Sequence, residues 1–359
     1  MKNKFAKISL FAAGLLAITG CSNNNGNYDD TGDDINDQPS GEVDNSYENP
    51  LSSSDIADPT AVRVGNSVYI FCTGGNVYKI DEFSKRPKEL TKVVRTEAWG
   101  PSQSAIWAPD VVKVKDTWIY YYSNSQWGAT SDTGIGFMTA SSIEGPWTDH
   151  GKLFDSEEIG VENSIDPCVV ADEDGQLWMS WGSFQGLFIT PLSDDGQSLK
   201  YPIVEGQEYD HKTLIGGIVG PWNGETYEGS YIKYKDGYYY LFASQGTCCD
   251  GADSTYHVKV ARSRSITGPY VDSKGVDFLG EDRGELVVKG NKYVAGPGHN
   301  SIIVDDNDDW RIVYHGYDAM FPLGRNLFID KLEWDDNGFP YVENYEPSFE
   351  EEMDGPVFK

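Results

Sequence analysis

One stretch of this chain is repeated, and the repeat limits the fold more tightly than any single motif. It is clearest from Glu228 to Cys249, EGSYIKYKDGYYYLFASQGTCC. An ionisable residue is followed by a short strand-like run, a charged turn ending at Gly237, an aromatic strand from Tyr238 to Phe242 and an exit of small residues. The pattern recurs as DPTAVRVGNSVYIFCTGG from Asp58, APDVVKVKDTWIYYYSNS from Ala108, DPCVVADEDGQLWMSWGS from Asp166 and HNSIIVDDNDDWRIVYHG from His299. Taking Asp58, Ala108, Asp166, Glu228 and His299 as equivalent, each interval holds about four strands and their turns, the content of one propeller blade. The runs are rich in Tyr, Trp, Val and Ile and broken by Gly, Asn and Asp, as in antiparallel meanders, and no long helical periodicity occurs. The fold class predicted is all-β, a five-bladed β-propeller. Irregular spacing argues against a β-helix, and five restarts are too many for one sandwich.

The segments between the copies repeat as well: ITGPY at Ile266 to Tyr270 mirrors IEGPW at Ile143 to Trp147. Near the end, IDKLEWDDNGFPYV places two strand-like runs around an Asn337-Gly338 turn and is expected to complete the last blade. The polar stretch Gly280 to Asn291 reads as a long loop over one face.

Residues 1–20 carry Lys2, Lys4 and Lys7 and then an apolar run from Ile8 to Ile18, the layout of a secretory leader and too short for a membrane span. The following Ile18-Thr19-Gly20-Cys21 resembles a bacterial lipobox, which implies lipid attachment at Cys21. Residues 21–50 are dominated by Asn, Gly, Asp, Ser and Glu with no basic side chain and read as an acidic, flexible tether. The propeller domain is expected over 51–359. The location implied is that of a lipoprotein on the outer membrane or cell surface, joined to the membrane through the lipid alone. The formal charge of −29 makes a field that repels phosphate backbones, so nucleic acid is excluded as a partner, and a monomer is expected. Of the other cysteines, Cys72, Cys168, Cys248 and Cys249, none forms a CxxC pair, which argues against structural zinc. Adjacent Cys248 and Cys249 are either a vicinal disulfide or two thiols, and spacing does not choose between them.

In a propeller the innermost strands converge on the axis, so the first residues of the repeats meet around one depression. Asp58, Asp166, Glu228 and His299 fall there from four blades, with Ala108 the inert fifth. Three carboxylates in one funnel suit glycoside hydrolysis, in which one group protonates the leaving oxygen and another activates water or attacks the sugar. Crowding by like charge raises a carboxyl's pKa and keeps it protonated. The same groups also suit a hard cation such as calcium, with His299 among its ligands.

Six motifs in order carry a family resemblance: ADPTAVR from Ala57, IWAPDVV from Ile106, SIDPCVV from Ser164, YEGSYIKYKDGYYYLF from Tyr227, TCCDGADSTYHVKVARSRSITGPY from Thr247 and GPGHNSII from Gly296. The chain resembles glycoside hydrolase family 43, and within it the arabinan endo-1,5-α-L-arabinosidases, from about Asp55 to Val342. The resemblance implies an inverting hydrolase with Asp58 as general base, Glu228 as general acid and Asp166 as the carboxylate that orients the acid and modulates its pKa. It implies a base-to-acid separation of roughly 6.5–9.5 Å, calcium held near His299 partly through water, and arabinan or arabino-oligosaccharides as substrate. Trp107, beside the funnel mouth, is a candidate sugar-stacking platform or a packed core residue. Two departures stand out. Ala57 replaces a histidine common before the base, and Glu228-Gly229-Ser230-Tyr231 replaces EAPY around the acid. Two other functions fit the same funnel: an exo-acting α-L-arabinofuranosidase or β-xylosidase, and a non-catalytic propeller that only captures glycans.

Overall fold

The computed structural model describes residues 45–220 and 227–359. Five antiparallel sheets, each of four consecutive strands, follow one another along the chain. The first contains Thr60–Val64, Ser67–Phe71, Asn76–Ile80 and Lys88–Lys92, and the second Trp107–Val114, Thr117–Asn124, Gly134–Ala140 and Thr148–Asp155. The third contains Cys168–Ala171, Leu177–Trp181, Leu187–Pro191 and Thr213–Gly216, and the fourth Tyr227–Lys235, Tyr238–Gln245, His257–Ser263 and Glu285–Lys289. The fifth contains Val294–Val304, Trp310–Asp318, Asn326–Trp334 and Pro340–Val342. This is the five-bladed propeller that the repeat predicts, with the first strand of each sheet innermost and the tail completing the fifth blade. One expectation is corrected: Gly280 to Asn291 is not a loop throughout. Glu285–Lys289 pairs with His257–Ser263 as the outer strand of the fourth blade, burying Val287 and Val288.

The aromatic second strands are buried along almost their whole length because a neighbouring blade covers each face. In Thr117–Asn124 every residue after Thr117 is buried, and in Tyr238–Gln245 every residue after Tyr238. The cores therefore lie between blades. Phe71 meets Tyr120 edge-on at 5.7 Å, Phe154 meets Trp181 at 5.2 Å and Tyr240 meets Trp310 at 5.9 Å, each pair bridging two blades. Such rings bury roughly 150–250 Å² each, which makes them the main apolar contribution to holding neighbouring blades together.

Among the described residues no strand is exchanged between the first and last blades, and the ring closes by other means. Ile303, Val313, Leu327 and Ile329 of the fifth blade pack against Ala61, Val68 and Ile70 of the first. A two-stranded ribbon, Ser46–Glu48 against Glu352–Asp354, ties the two ends of the described chain together. Tyr47 donates its hydroxyl to the Ile329 carbonyl at 2.8 Å, Asn49 Nδ2 donates to the same carbonyl at 2.8 Å, and Leu51 N–H reaches the Leu327 carbonyl at 2.9 Å. The folded part therefore begins before Leu51, and residues 45–50 are not tether: Tyr47 and Asn49 are buried. The leader, Cys21 and the rest of the expected tether lie outside the described residues.

Around the axis, one position of each innermost strand reaches the next blade's backbone. Thr60 donates to the Pro109 carbonyl at 2.6 Å, and Asp110 Oδ2 accepts the Val169 amide at 2.6 Å. The Cys168 sulfur accepts the Ile232 amide, Tyr231 donates to the Ile302 carbonyl at 3.3 Å, and Ser301 donates to the Pro59 carbonyl at 3.0 Å. Five bonds thus run once round the ring and close it.

Of these five, Asp110 is the one that titrates near neutral pH. Burial pushes its carboxyl up to about 7, with the Val169 and Val111 amides opposing. An unfolded Asp ionises near ~3.9. Between that pH and about 7 the unfolded chain releases a proton that the fold retains, so the stability Asp110 contributes is complete at acid pH and lost as pH rises. Asp110→Asn still accepts the Val169 amide but cannot ionise. Its melting temperature should gain on wild type progressively from about pH 4 to pH 7, reaching several degrees. A difference that does not vary with pH in parallel melts would show that Asp110 is not protonated in the fold.

Candidate active site

Each innermost strand is entered through the same backbone kink. Asp58, Ala108, Asp166, Gly229 and His299 have φ of 54°, 37°, 63°, 59° and 50°. A side chain in this left-handed region costs roughly 1–2 kcal/mol, and four of the five bear one. The ladder shifts register at this point between Trp107 and Asp110, between Glu228 and Tyr231, and between Gly298 and Ser301, a bulge that re-aims side chains. The alignment of the fourth repeat is thereby corrected. Its equivalent of Asp58 is Gly229, not Glu228, and Glu228 shares the preceding position with Ala57, Trp107, Ile165 and Gly298. Gly229 is required there: a Cβ would stand 3.0 Å from His299 Nδ1, and the left-handed φ adds its own penalty.

The kinks are held by the exits of the second strands. Thr73 Oγ1 accepts the Ala108 amide at 2.9 Å, Ser123 Oγ the Asp166 amide at 2.8 Å, Ser244 Oγ the His299 amide at 2.8 Å, and His315 Nδ1 the Asp58 amide at 3.0 Å. In the third blade Gly182 holds this place, its amide bonded to the Ile165 carbonyl at 2.8 Å as that of Thr73 is to Ala57. Having no side chain, it leaves the Gly229 amide to Asp166 Oδ2, at 3.3 Å. The gap in the pattern is what binds the second carboxylate to the loop of the third.

Asp58, Asp166, Glu228, His299 and Trp107, all named from the sequence, line one cleft of about 430 Å³. The structure adds Arg325, Thr73, Ser183, Trp127 and the Cys248-Cys249 pair to its walls. Trp107 lies 5.9 Å from Trp127, whose ring is 80% exposed, so this edge of the cleft is aromatic. Cys248 and Cys249 are joined as a disulfide, which resolves the alternative that spacing left open.

The carboxyls differ in their surroundings. Burial would raise Asp58, but Arg325, His299, His315 and the Thr73 hydroxyl hold it well below the usual carboxylate range. Arg325 Nη1 stands 3.3 Å from Oδ1 and 3.4 Å from Oδ2, and Thr73 donates to Oδ2 at 2.5 Å. Burial lowers both imidazoles, His315 to about 3, so near neutrality Arg325 is the permanent cation and Asp58 its anion. The backbone N–H on His315 Nδ1 also fixes the tautomer, with the proton on Nε2.

Glu228 has no cation within ion-pairing distance. Burial raises it and Asp58 adds to the rise, while the Ser183 hydroxyl, donating to Oε2 at 2.7 Å, and the neighbouring Tyr256 oppose it. Asp166 is raised well above its ordinary value by burial and then by the charges of Glu228 and Asp58. One carboxyl held below its ordinary value and two pushed above theirs therefore face one cleft. That is the division of labour general acid–base hydrolysis of an acetal needs.

Among the described residues no three His, Cys, Asp or Glu side chains converge on one point, so a calcium ion near His299 would take most of its six to eight oxygen ligands from water. The His299 ring packs on Gly229, with its Nδ1 3.6 Å from Asp58.

The model of the glycosyl hydrolases family 43 matches residues 47–340. The chain belongs to family 43. Among similar proteins, an extracellular exo-α-(1→5)-L-arabinofuranosidase of Cellvibrio japonicus is 36% identical over 81% of this chain and 87% of its own length. An extracellular endo-α-(1→5)-L-arabinanase of Bacillus subtilis is 32% identical over 79% and 87%. The solved structure of a Cellvibrio cellulosa α-L-arabinanase complexed with arabinohexaose superposes with a TM-score of 0.68, at 33% identity, covering 82% of this chain and 96% of that one.

Sequence reasoning missed Arg325, Thr73, His315 and Ser183. Three had a usable signal, since Thr73, Ser183 and His315 sit at or beside the small-residue exit of a repeat. Arg325 had none: it lies in a loop outside the repeat, 267 residues from Asp58.

Ser183 gives a pH test with a defined sign. Its hydroxyl favours the ionised form of Glu228, so Ser183→Ala should raise the Glu228 pKa further. The alkaline limb of the kcat/KM profile, where the acid loses its proton, should move to higher pH while the acid limb stays. An unmoved alkaline limb would remove Glu228 from the protonated role.

Proposed function

We propose that this family 43 hydrolase cleaves internal α-1,5-L-arabinofuranosidic bonds of arabinan with inversion of configuration. The observation that carries the assignment of roles is the unequal environment of Asp58 and Glu228: one paired with Arg325, the other buried without a cation. Asp58 takes a proton from a water molecule as that water attacks the anomeric carbon. Glu228 gives its proton to the glycosidic oxygen as the bond to the leaving sugar breaks. Asp166, bonded to the Gly229 amide, holds the loop of the acid and so orients Glu228.

Arabinan as substrate is supported by the names of the relatives and by the arabinohexaose-bound neighbour. Location outside the cytoplasm is supported by the extracellular relatives, and we extend it to lipid attachment at Cys21 on the strength of the sequence alone. Exo-action is the second reading, favoured by the relative at 36% identity that bears an exo name.

Three measurements test this reading. Linear arabinan should give a ladder of oligosaccharides at early times; a single small product from the outset would establish exo-action. Glu228→Gln should lower kcat on arabinan by about 10²–10⁴-fold with KM little changed. Near wild-type turnover by that variant would overturn the assignment of the acid. NMR of the first-formed anomer reports inversion.

A further inference from the structure

The Cys248–Cys249 disulfide has no stabilising role of the usual kind. A disulfide stabilises mainly by closing a loop of chain in the unfolded state, and one between adjacent residues closes none. Nor does it staple two elements. It stands at the tip of the loop joining the second and third strands of the fourth blade, with Cys248 half-buried and Cys249 exposed, and both line the cleft.

The loop is built to hold it there. Thr247 N–H donates to Thr255 Oγ1 at 3.0 Å, Tyr256 N–H to the Thr247 carbonyl at 3.1 Å, and Asp250 N–H to Ser254 Oγ at 2.9 Å, so the base is cross-linked on both sides of the cysteines. Behind the sulfurs stands Arg325. Its Nη1 is 3.9 Å from Cys249 Sγ and 3.3 Å from Asp58 Oδ1, so one guanidinium separates the disulfide from the proposed base.

A sugar ring held between Asp58 and Glu228 must lay one face against something. Oxidised cysteines present two polarisable sulfurs with no hydrogen-bond donor, a rigid apolar surface suited to the C–H face of a furanose. We infer that the Cys248–Cys249 disulfide is a sugar-contacting surface on the Asp58 side of the cleft and a determinant of oligosaccharide affinity. The inference rests on the arabinan-hydrolase reading. A contact made equally in ground state and transition state changes KM and leaves kcat nearly alone.

The disulfide can be opened without mutation. A water-soluble phosphine reduces it to two thiols, the phosphine being oxidised to its oxide with oxygen from water. Among the described residues the other cysteines, Cys72 and Cys168, are buried free thiols, so the reductant has one target there. The full chain is assayed on arabinohexaose before and after reduction, with thiol alkylation and mass spectrometry confirming that Cys248 and Cys249 have opened. Cys248→Ala/Cys249→Ala is assayed in parallel. Reduction and the double variant should each raise KM by about tenfold with kcat within about twofold, and reductant should add nothing to the variant. An unchanged KM in the reduced wild type overturns the inference. A lower kcat at constant KM also overturns it, since the pair would then act only by seating Arg325 beside Asp58. A wild-type chain inactive on arabinohexaose is a different failure and removes the functional reading itself.

Discussion

The site depends on a closed circle of side-chain-to-backbone bonds around the propeller axis. Thr60, Asp110, Cys168, Tyr231 and Ser301 occupy the same place on five innermost strands, and each reaches the next blade. Apolar contact between blades is non-directional and would tolerate sliding; a hydrogen bond to one particular carbonyl or amide would not. The circle therefore sets the relative height of the strands. Residues entering from different blades then arrive at one level and form a site. The second tier, from Thr73, Ser123, Ser244 and His315, fixes the kinks that aim them.

Within that frame chemistry follows from unequal compensation of burial. All three carboxyls are taken out of water, which favours the neutral form of each. Only Asp58 has a guanidinium within ion-pairing distance, and it alone of the three is held below its ordinary value. Glu228 receives hydroxyls in place of a cation, and Asp166 receives one backbone amide, so both stay raised. Three side chains of similar intrinsic acidity acquire different proton affinities, chiefly because a single arginine pairs with one of them.

Much of this was legible in the repeat. Strand order, blade number and the completion of the fifth blade by its tail follow from local patterns of aromatic runs and turns, and such patterns are what short-range periodicity records. The register of the fourth blade was not legible. Glu228 and Gly229 are neighbours, and an ionisable residue matches a column whose other members, Ala108 apart, are ionisable. The left-handed φ shared by Asp58, Ala108, Asp166, Gly229 and His299 decides otherwise. Gly229, which in the sequence stands as a departure from a family motif, is the residue whose lack of a side chain admits the His299 ring. The stretch from Gly280 to Asn291 was misread because its strand lies at the edge of a sheet, where polar flanks hide a short buried pair, Val287 and Val288.

The sequence by itself determined an all-β propeller of five blades and the set of carboxylates that converge in it. Both are repeated locally and need no knowledge of which distant residues meet. Only the tertiary structure decided which carboxylate is charged, which loop holds which, and where the vicinal cysteines point. Arg325 is 267 residues from Asp58 and 76 from Cys249, and no local pattern encodes that meeting. It arises because the ring closes, the fifth blade is brought against the first, and a loop outside the repeat reaches the one cleft that all five blades share.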